Sequence, residues 1–583
     1  MQPTEPTPPR LDDLARPFRR DYLDHAAISE QLRAWAEAYP ALARVRSIGT
    51  TLEGRELLLL TIGHDPDRRR PAVWIDANMH ATEVCGSSVA LAIAEDVLRL
   101  HLEPDALGAA PHGLPAHVRE RLREVVFHVL PRVCPDGAET ILKHGRYVRS
   151  NPRDRRETAR PRWIAGDVDG DGVALVMRKR DAAGEFVEAR EVPGLMLPRR
   201  LEDEGPFYKL YPEGHVEPWD GVTVPDPHFL ADNDTDLNRN FPFHWTPEPE
   251  QVGAGRYPAS EPETRAVVEF VSAHPEIFAW LNLHTFGGVF IRPLGTASDK
   301  KMDPEDLAIF RQVAEWGEVH GGYPTVSGFE EFTYEPDKPL HGDLCDFAYH
   351  QRGCVAYVCE LWDLFAQLGI PRKKPFVDHY SLMTREDLVR LGRWDATVNH
   401  GRVVRPWRAC AHPQLGDVEV GGLDPRVGIS NPPYELVAEV CARQSAAFLR
   451  VAALAPALAI TAVEITRLEG GARRVDVTLE NAGYLPTNVL SSSKQLPWNE
   501  PVIATATARG CALADPTSAR RELGHLDGWG RGLHGEGSSI FHQRSRGSVS
   551  LRRVSWTVTG VGALVVSVSG ARIGTIERTI ELG

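Results

Sequence analysis

His80 and Glu83 stand three residues apart, where a strand-forming run at 73–77 gives way to a helix-like stretch. At a strand end, that spacing lets an imidazole nitrogen and a carboxylate oxygen close on one cation from one side, and zinc accepts both donors readily. A catalytic zinc takes three protein ligands and leaves one position for water. Such a pair therefore calls for a third ligand, a base and a means of holding a substrate. His284, at the end of the apolar run 279–283, is the best-placed third ligand; His244, His274 and His341 stand in weaker contexts. Asn238 and Arg239 set an amide beside a guanidinium, and a guanidinium grips a carboxylate through two parallel hydrogen bonds. Arg146 and Arg149 share a loop, and an arginine next to a metal stabilises a developing oxyanion. Glu360 closes the apolar run 355–360. A carboxylate buried there needs a salt bridge or a task, and a base beside an activated water is the sharper reading.

These residues need a scaffold that brings distant segments together. A helical pattern over 24–39 precedes two short strands turning at 52–54. Further strands are predicted at 73–77, 125–130, 277–284 and 355–360, with helices near 82–100, 262–273, 304–318 and 384–397. Strands alternating with helices predict an α/β layer with a mixed, largely parallel β-sheet, and ligands collect at the carboxyl ends of such strands. His80, His284 and Glu360 each close a predicted strand.

Four other regions depart from that alternation. Residues 1–20 are Pro-rich and read as a flexible tail ahead of a catalytic domain at 21–405. Residues 151–230 read as an insertion packed outside the catalytic layer. Within it Asp167, Asp169 and Asp171 begin a calcium-loop pattern, but Arg178 occupies the twelfth position where a glutamate belongs, so a plain acidic turn is the stronger expectation. Residues 406–454 are a connecting segment, and short β-branched runs between turns over 455–583 predict an all-β sandwich.

Bulk properties narrow the partners. The 583 residues carry a net charge of −14 with pI near 5.9, which argues against nucleic acid, since phosphate binding needs clustered positive charge. The basic runs 178–180 and 372–374 read as solvated loops. No signal-peptide core, membrane-spanning window or lipid-anchor motif stands in the sequence. Eight scattered cysteines without a CxxC pair fit a reduced, cytoplasmic protein, with Cys85 and Cys134 as small apolar residues. Oligomeric state has no signature.

Taken as an ordered set, HATE (80–83), PRVCPDG (131–137), RYVRS (146–150), DLNRNF (236–241), LNLHTF (281–286) and the run 342–362 resemble the zinc metallocarboxypeptidases, the carboxypeptidase A/B-like family, over roughly 21–400. The resemblance implies that fold, a peptide substrate with a free C-terminal carboxylate, and one zinc ion on His80, Glu83 and His284. It implies Asn238 and Arg239 as the carboxylate clamp, Arg149 as the oxyanion arginine and Glu360 as general base. Departures are Cys134 in place of the family's Asn, and no aligned counterpart of its substrate-capping tyrosine: an ungapped count reaches Lys338, and Tyr334 fits only if the loop shifts. At the specificity position stands Cys345, where basic-residue specialists carry Asp, so an apolar or mid-sized side chain is expected. No folded pro-region is expected ahead of residue 21. A peptidoglycan-peptide hydrolase or N-acyl amino acid deacylase on the same scaffold remains open, as does, more remotely, a non-catalytic binding protein.

Overall fold

The computed structural model describes residues 9–154, 159–226, 235–335, 338–530 and 545–583. Its central sheet runs, edge to edge, Ala43–Thr50, Glu56–Ile62, Val126–Leu130, Ala72–Ala77, Ile277–Thr285, Val355–Leu361, Val289–Arg292 and Thr325–Ser327. The four middle strands are mutually parallel, and antiparallel pairs flank them, giving the mixed, largely parallel layer expected. Parallel strands must be covered on both faces. On one face Val73, Ile75, Ala77, Leu281 and Leu283 pack under the helix Cys85–Leu102, whose Val89, Ile93 and Val97 are fully buried. Each such side chain contributes roughly 1.5–3 kcal/mol.

The opposite face of the middle strands is a ladder of larger and more polar residues. In-register pairs run Trp74 with Trp280, Asp76 with Asn282, and His284 with Glu360. Side chains two apart on a strand share a face, so one face carries indoles, then a carboxylate and an amide, then the candidate chemistry at the carboxyl edge.

The insertion and the connecting segment form one unit. Val404–His412 and Gly416–Leu423 join Val176–Arg180, Phe207–Pro212, Phe186–Glu188 and Met196–Pro198 in a six-stranded antiparallel sheet. The hairpin at 404–423 covers a strand edge that would otherwise be unpaired. Arg178 is buried in that sheet rather than solvated: it pairs with Glu188 and Glu419 at 2.7 Å each and lies over Tyr208 and Trp407. The loop 167–172 closes on itself. Asp167 accepts from the N–H groups of Gly170 and Gly172, Asp171 pairs with Arg408, and both oxygens of the adjacent Glu213 accept from backbone N–H groups. These carboxylates already have their partners, which removes the support for calcium at Asp167, Asp169 and Asp171 and leaves the acidic turn.

Of the tail expected over 1–20, residues 1–8 lie outside the described residues, and residues 9–20 are not loose. Phe18 is fully buried edge-on against Trp35, and Arg19 pairs with Glu95 and Asp96, so an aromatic and an arginine anchor what Pro-richness alone suggested was free. At the other end, two four-stranded antiparallel sheets enclose a core that includes Val475, Val477, Trp556, Val566 and Val568, the predicted sandwich. No helix among the described residues is long and apolar enough to cross a membrane.

Candidate metal centre and substrate cleft

The strand Ala72–Ala77 is stopped by Asn78, which adopts φ 57° and bonds through its amide to the carbonyls of His80 and Ala81. Asparagine tolerates this left-handed conformation better than most residues. The chain then makes a tight turn, and the helix starts at Cys85 rather than near 82, so His80 and Glu83 sit in the turn. Asn431 straps it: its amide donates to Thr82 O at 2.7 Å and its carbonyl accepts from Cys85 N at 2.8 Å. Gly137 serves the neighbouring loop, since a Cβ there would lie 2.0 Å from Ser150 O; its absence lets the Arg149 segment close in, and Ala81 N donates to Arg149 O.

Three donors converge. His80 Nδ1 lies 2.8 Å from one Glu83 oxygen, His284 Nδ1 lies 2.9 Å from the other, and the two Nδ1 atoms are 3.0 Å apart. All three side chains are buried. The far ring nitrogens decide what the near ones are. His80 Nε2 meets Asp236 Oδ1 at 3.0 Å and His284 Nε2 meets Asn282 Oδ1 at 2.6 Å, both acceptors. Each Nε2 therefore carries its hydrogen, and both Nδ1 lone pairs face each other beside a carboxylate. Such an arrangement of acceptors fits a cation, and the N, N, O set suits zinc. The support extends one layer further: Asn282 donates to Asp76 at 2.5 Å, and Asp76 also accepts from the Trp74 and Trp280 indoles. Burial raises the Asp76 carboxyl to about 6 despite those three donors.

Glu360 stands beside His284 in register. Among the described residues no hydrogen bond holds its carboxylate. Burial first, then the charge of Glu83, push it well above the usual carboxyl range against the pull of Arg149. Arg149 Nε pairs with Asp236 at 3.0 Å, and its guanidinium lies 3.9 Å from Glu83. A cleft of about 660 Å³, open to solvent, is lined by His80, His284, Glu360 and Arg149 together with Asn238 and Arg239. Asn238 is fixed by accepting from Leu344 N, and Arg239 donates to Asn238 O at 2.6 Å. Tyr334, 58% exposed, lines the same cleft from the loop after helix Gly328–Phe332, and Cys345 lines its interior at 5% exposed. The nine residues expected to hold the zinc, carry out catalysis and bind the substrate are thus brought to one place.

Sequence reasoning missed the supporting layer. Asp236 was visible as the first residue of DLNRNF, but only the fold shows it bridging His80 and Arg149. Asp76 and Asn282 carried a signal in being polar at alternate positions of apolar strands. Asp343 and Asp346 also line the cleft, and burial, then the charge of Asp343, raise Asp346 to about 8 against the Gly295 N–H.

Residues 28–368, more than half of the chain, match the family model described as zinc carboxypeptidase. The chain belongs to the zinc carboxypeptidase family. Among its relatives, mouse carboxypeptidase A6 is 21% identical over 347 residues, which are 57% of this chain and 59% of that protein. Mouse carboxypeptidase D is 24% identical over 291 residues, 48% of this chain and 14% of that protein. The chain thus spans less than two thirds of either relative. The solved carboxypeptidase A of Helicoverpa armigera aligns with a TM-score of 0.39 at 16% identity, covering 65% of this chain and 72% of that one. Residues 457–581 match a domain of unknown function.

Proposed function

We propose that this protein is a zinc-dependent carboxypeptidase that hydrolyses the last peptide bond of substrates bearing a free C-terminal carboxylate. The observation that carries the reading is the facing pair of Nδ1 lone pairs and the Glu83 carboxylate, in one cleft with Glu360, Arg149 and Arg239. Zinc held by His80, Glu83 and His284 supplies Lewis acidity for the attacking water and the scissile carbonyl. Glu360 takes the water's proton and returns it to the leaving amine. Arg149, oriented by Asp236, stabilises the oxyanion. Asn238 and Arg239 hold the terminal carboxylate, so cleavage occurs at the chain end. Tyr334 closes over the bound residue, and Cys345 faces its side chain.

The test is Glu360→Gln. We expect kcat to fall about 10²–10⁴-fold, the range of general acid–base catalysis, with zinc content unchanged and C-terminally amidated peptides left intact by the wild type. Full turnover in the variant would overturn the assignment of the base. Muropeptides and N-acyl amino acids in the same panel distinguish the other hydrolases this scaffold can support, since preferential turnover of either would replace the peptide reading.

A further inference from the structure

A second group of metal-binding side chains sits at the opposite end of the strand that carries His284. His128 belongs to the strand Val126–Leu130, His274 caps the helix Pro262–Ala273, and Glu276 immediately precedes Ile277–Thr285. One ligand atom from each lies within 4.8 Å of the others. His284 and Glu276 are eight residues apart, so the two centres are separated by about 25 Å at strand rise, and this group has no part in the cleft described above.

Each side chain is arranged as a ligand is. Thr61 Oγ1 holds His128 Nδ1 at 3.1 Å, which fixes the ring and leaves Nε2 for another partner. His274 stacks on Phe270 with centroids 4.1 Å apart, and its Nδ1 lies 2.8 Å from Glu276 Oε1. Glu276 is 4% exposed, and its other oxygen has no hydrogen-bond partner among the described residues. A buried carboxylate oxygen without a partner is costly.

The gap is telling because cations are close. All three side chains line a cavity of about 420 Å³ together with Arg46, Arg68, Arg69 and Arg70. Yet Arg46 lies over Phe270 and donates to Thr61, Arg69 donates to Ala273 O, and Arg70 donates to His64 O. Arg572 of the β sandwich, which feels the Glu276 charge, gives its two terminal nitrogens to four backbone carbonyls. Arg46, Arg69, Arg70 and Arg572 thus each donate elsewhere, Arg68 is exposed, and none of them bonds the second Glu276 oxygen among the described residues.

We infer that His128, His274 and Glu276 form a second, structural site for a divalent transition metal of zinc's kind, tying the strand Val126–Leu130 to the start of Ile277–Thr285. Two imidazoles and a carboxylate are a zinc-type donor set, and the cavity leaves room for water as a fourth ligand.

The experiment counts zinc in the full chain after chelator stripping, reloading and desalting. The wild type is expected to hold two ions per chain. His80→Ala with His284→Ala should keep one, and zinc should still raise its melting temperature. Adding His274→Gln, at a half-buried position, should abolish both. Glu276→Gln serves as the second variant should His274→Gln not fold. On the wild-type background, His274→Gln should hold one ion and retain peptide hydrolysis. A His80/His284 double variant that binds no zinc and shows no thermal response would overturn the inference, as would two ions per chain in His274→Gln.

Discussion

The strand Ile277–Thr285 meets buried charge beyond each of its ends and resolves it in opposite ways. At its carboxyl end, His284 joins His80 and Glu83 in a set of acceptors with no donor among them. Behind its amino end, Arg572 of the β sandwich is 1% exposed and donates to the carbonyls of Pro275, Ile277, Arg352 and Gly353, with Trp498 stacked 4.7 Å from its guanidinium. Arg352 and Gly353 lead into the strand Val355–Leu361, which carries Glu360. Both terminal nitrogens of Arg572 are used, each by two carbonyls, and so the socket holds two strands to the sandwich. The metal centre is incomplete, since each imidazole is fixed by a partner outside while the inward lone pairs face one another.

Three substitutions sharpen that contrast. Arg572→Ala strips four carbonyls of their donor and opens a void. We expect a loss of about 3–5 kcal/mol in denaturant unfolding, as when one side of a buried polar pair is removed, with zinc at the first centre unchanged per folded chain. A loss under about 1 kcal/mol would mean the socket does not hold the sandwich to the sheet. Asp76→Asn acts on the other end. Its amide would confront the Asn282 amide, turning it and removing the acceptor on His284 Nε2. Zinc affinity should fall about 10–100-fold, the usual cost of losing such support, in chelator competition; unchanged affinity would show that the ladder does not orient the ligand.

The smallest effect is a pH dependence in the cleft. Asp346, raised from 3.8 to about 8 in the folded chain, binds its proton more tightly there than when unfolded. Its contribution is fully present below about pH 4 and is lost as pH rises to about 8, at no more than about 1.4 kcal/mol per pH unit. The wild type should therefore lose stability from pH 6 to pH 7 relative to Asp346→Asn, and parallel pH profiles for the two would contradict the assignment.

Much of the site was legible because its residues interrupt strong patterns. His80, His284 and Glu360 end apolar runs, and Asn238 and Arg239 lie together in a compact polar motif. The middle strands were legible for the same reason, their runs being too apolar for loops. What was not legible depends on long-range pairing. Asn431 straps the metal turn from 346 residues away along the chain, and nothing local marks it. The union of 176–212 with 404–423 in one sheet is likewise a matter of edges finding each other, and Arg178 reads as solvated until Glu188 and Glu419 are placed beside it. Phe18 gave the packed segment at 9–20 its anchor, a single aromatic outweighed by the prolines around it.

The most direct test is a crystal structure of the zinc-loaded protein with anomalous data at the zinc edge. A peak about 2.0–2.1 Å from His80 Nδ1 and His284 Nδ1, and at bonding distance from a Glu83 oxygen, is the predicted result. A fully loaded crystal with no peak between those three side chains, or with either ring turned to present Nε2, would contradict it.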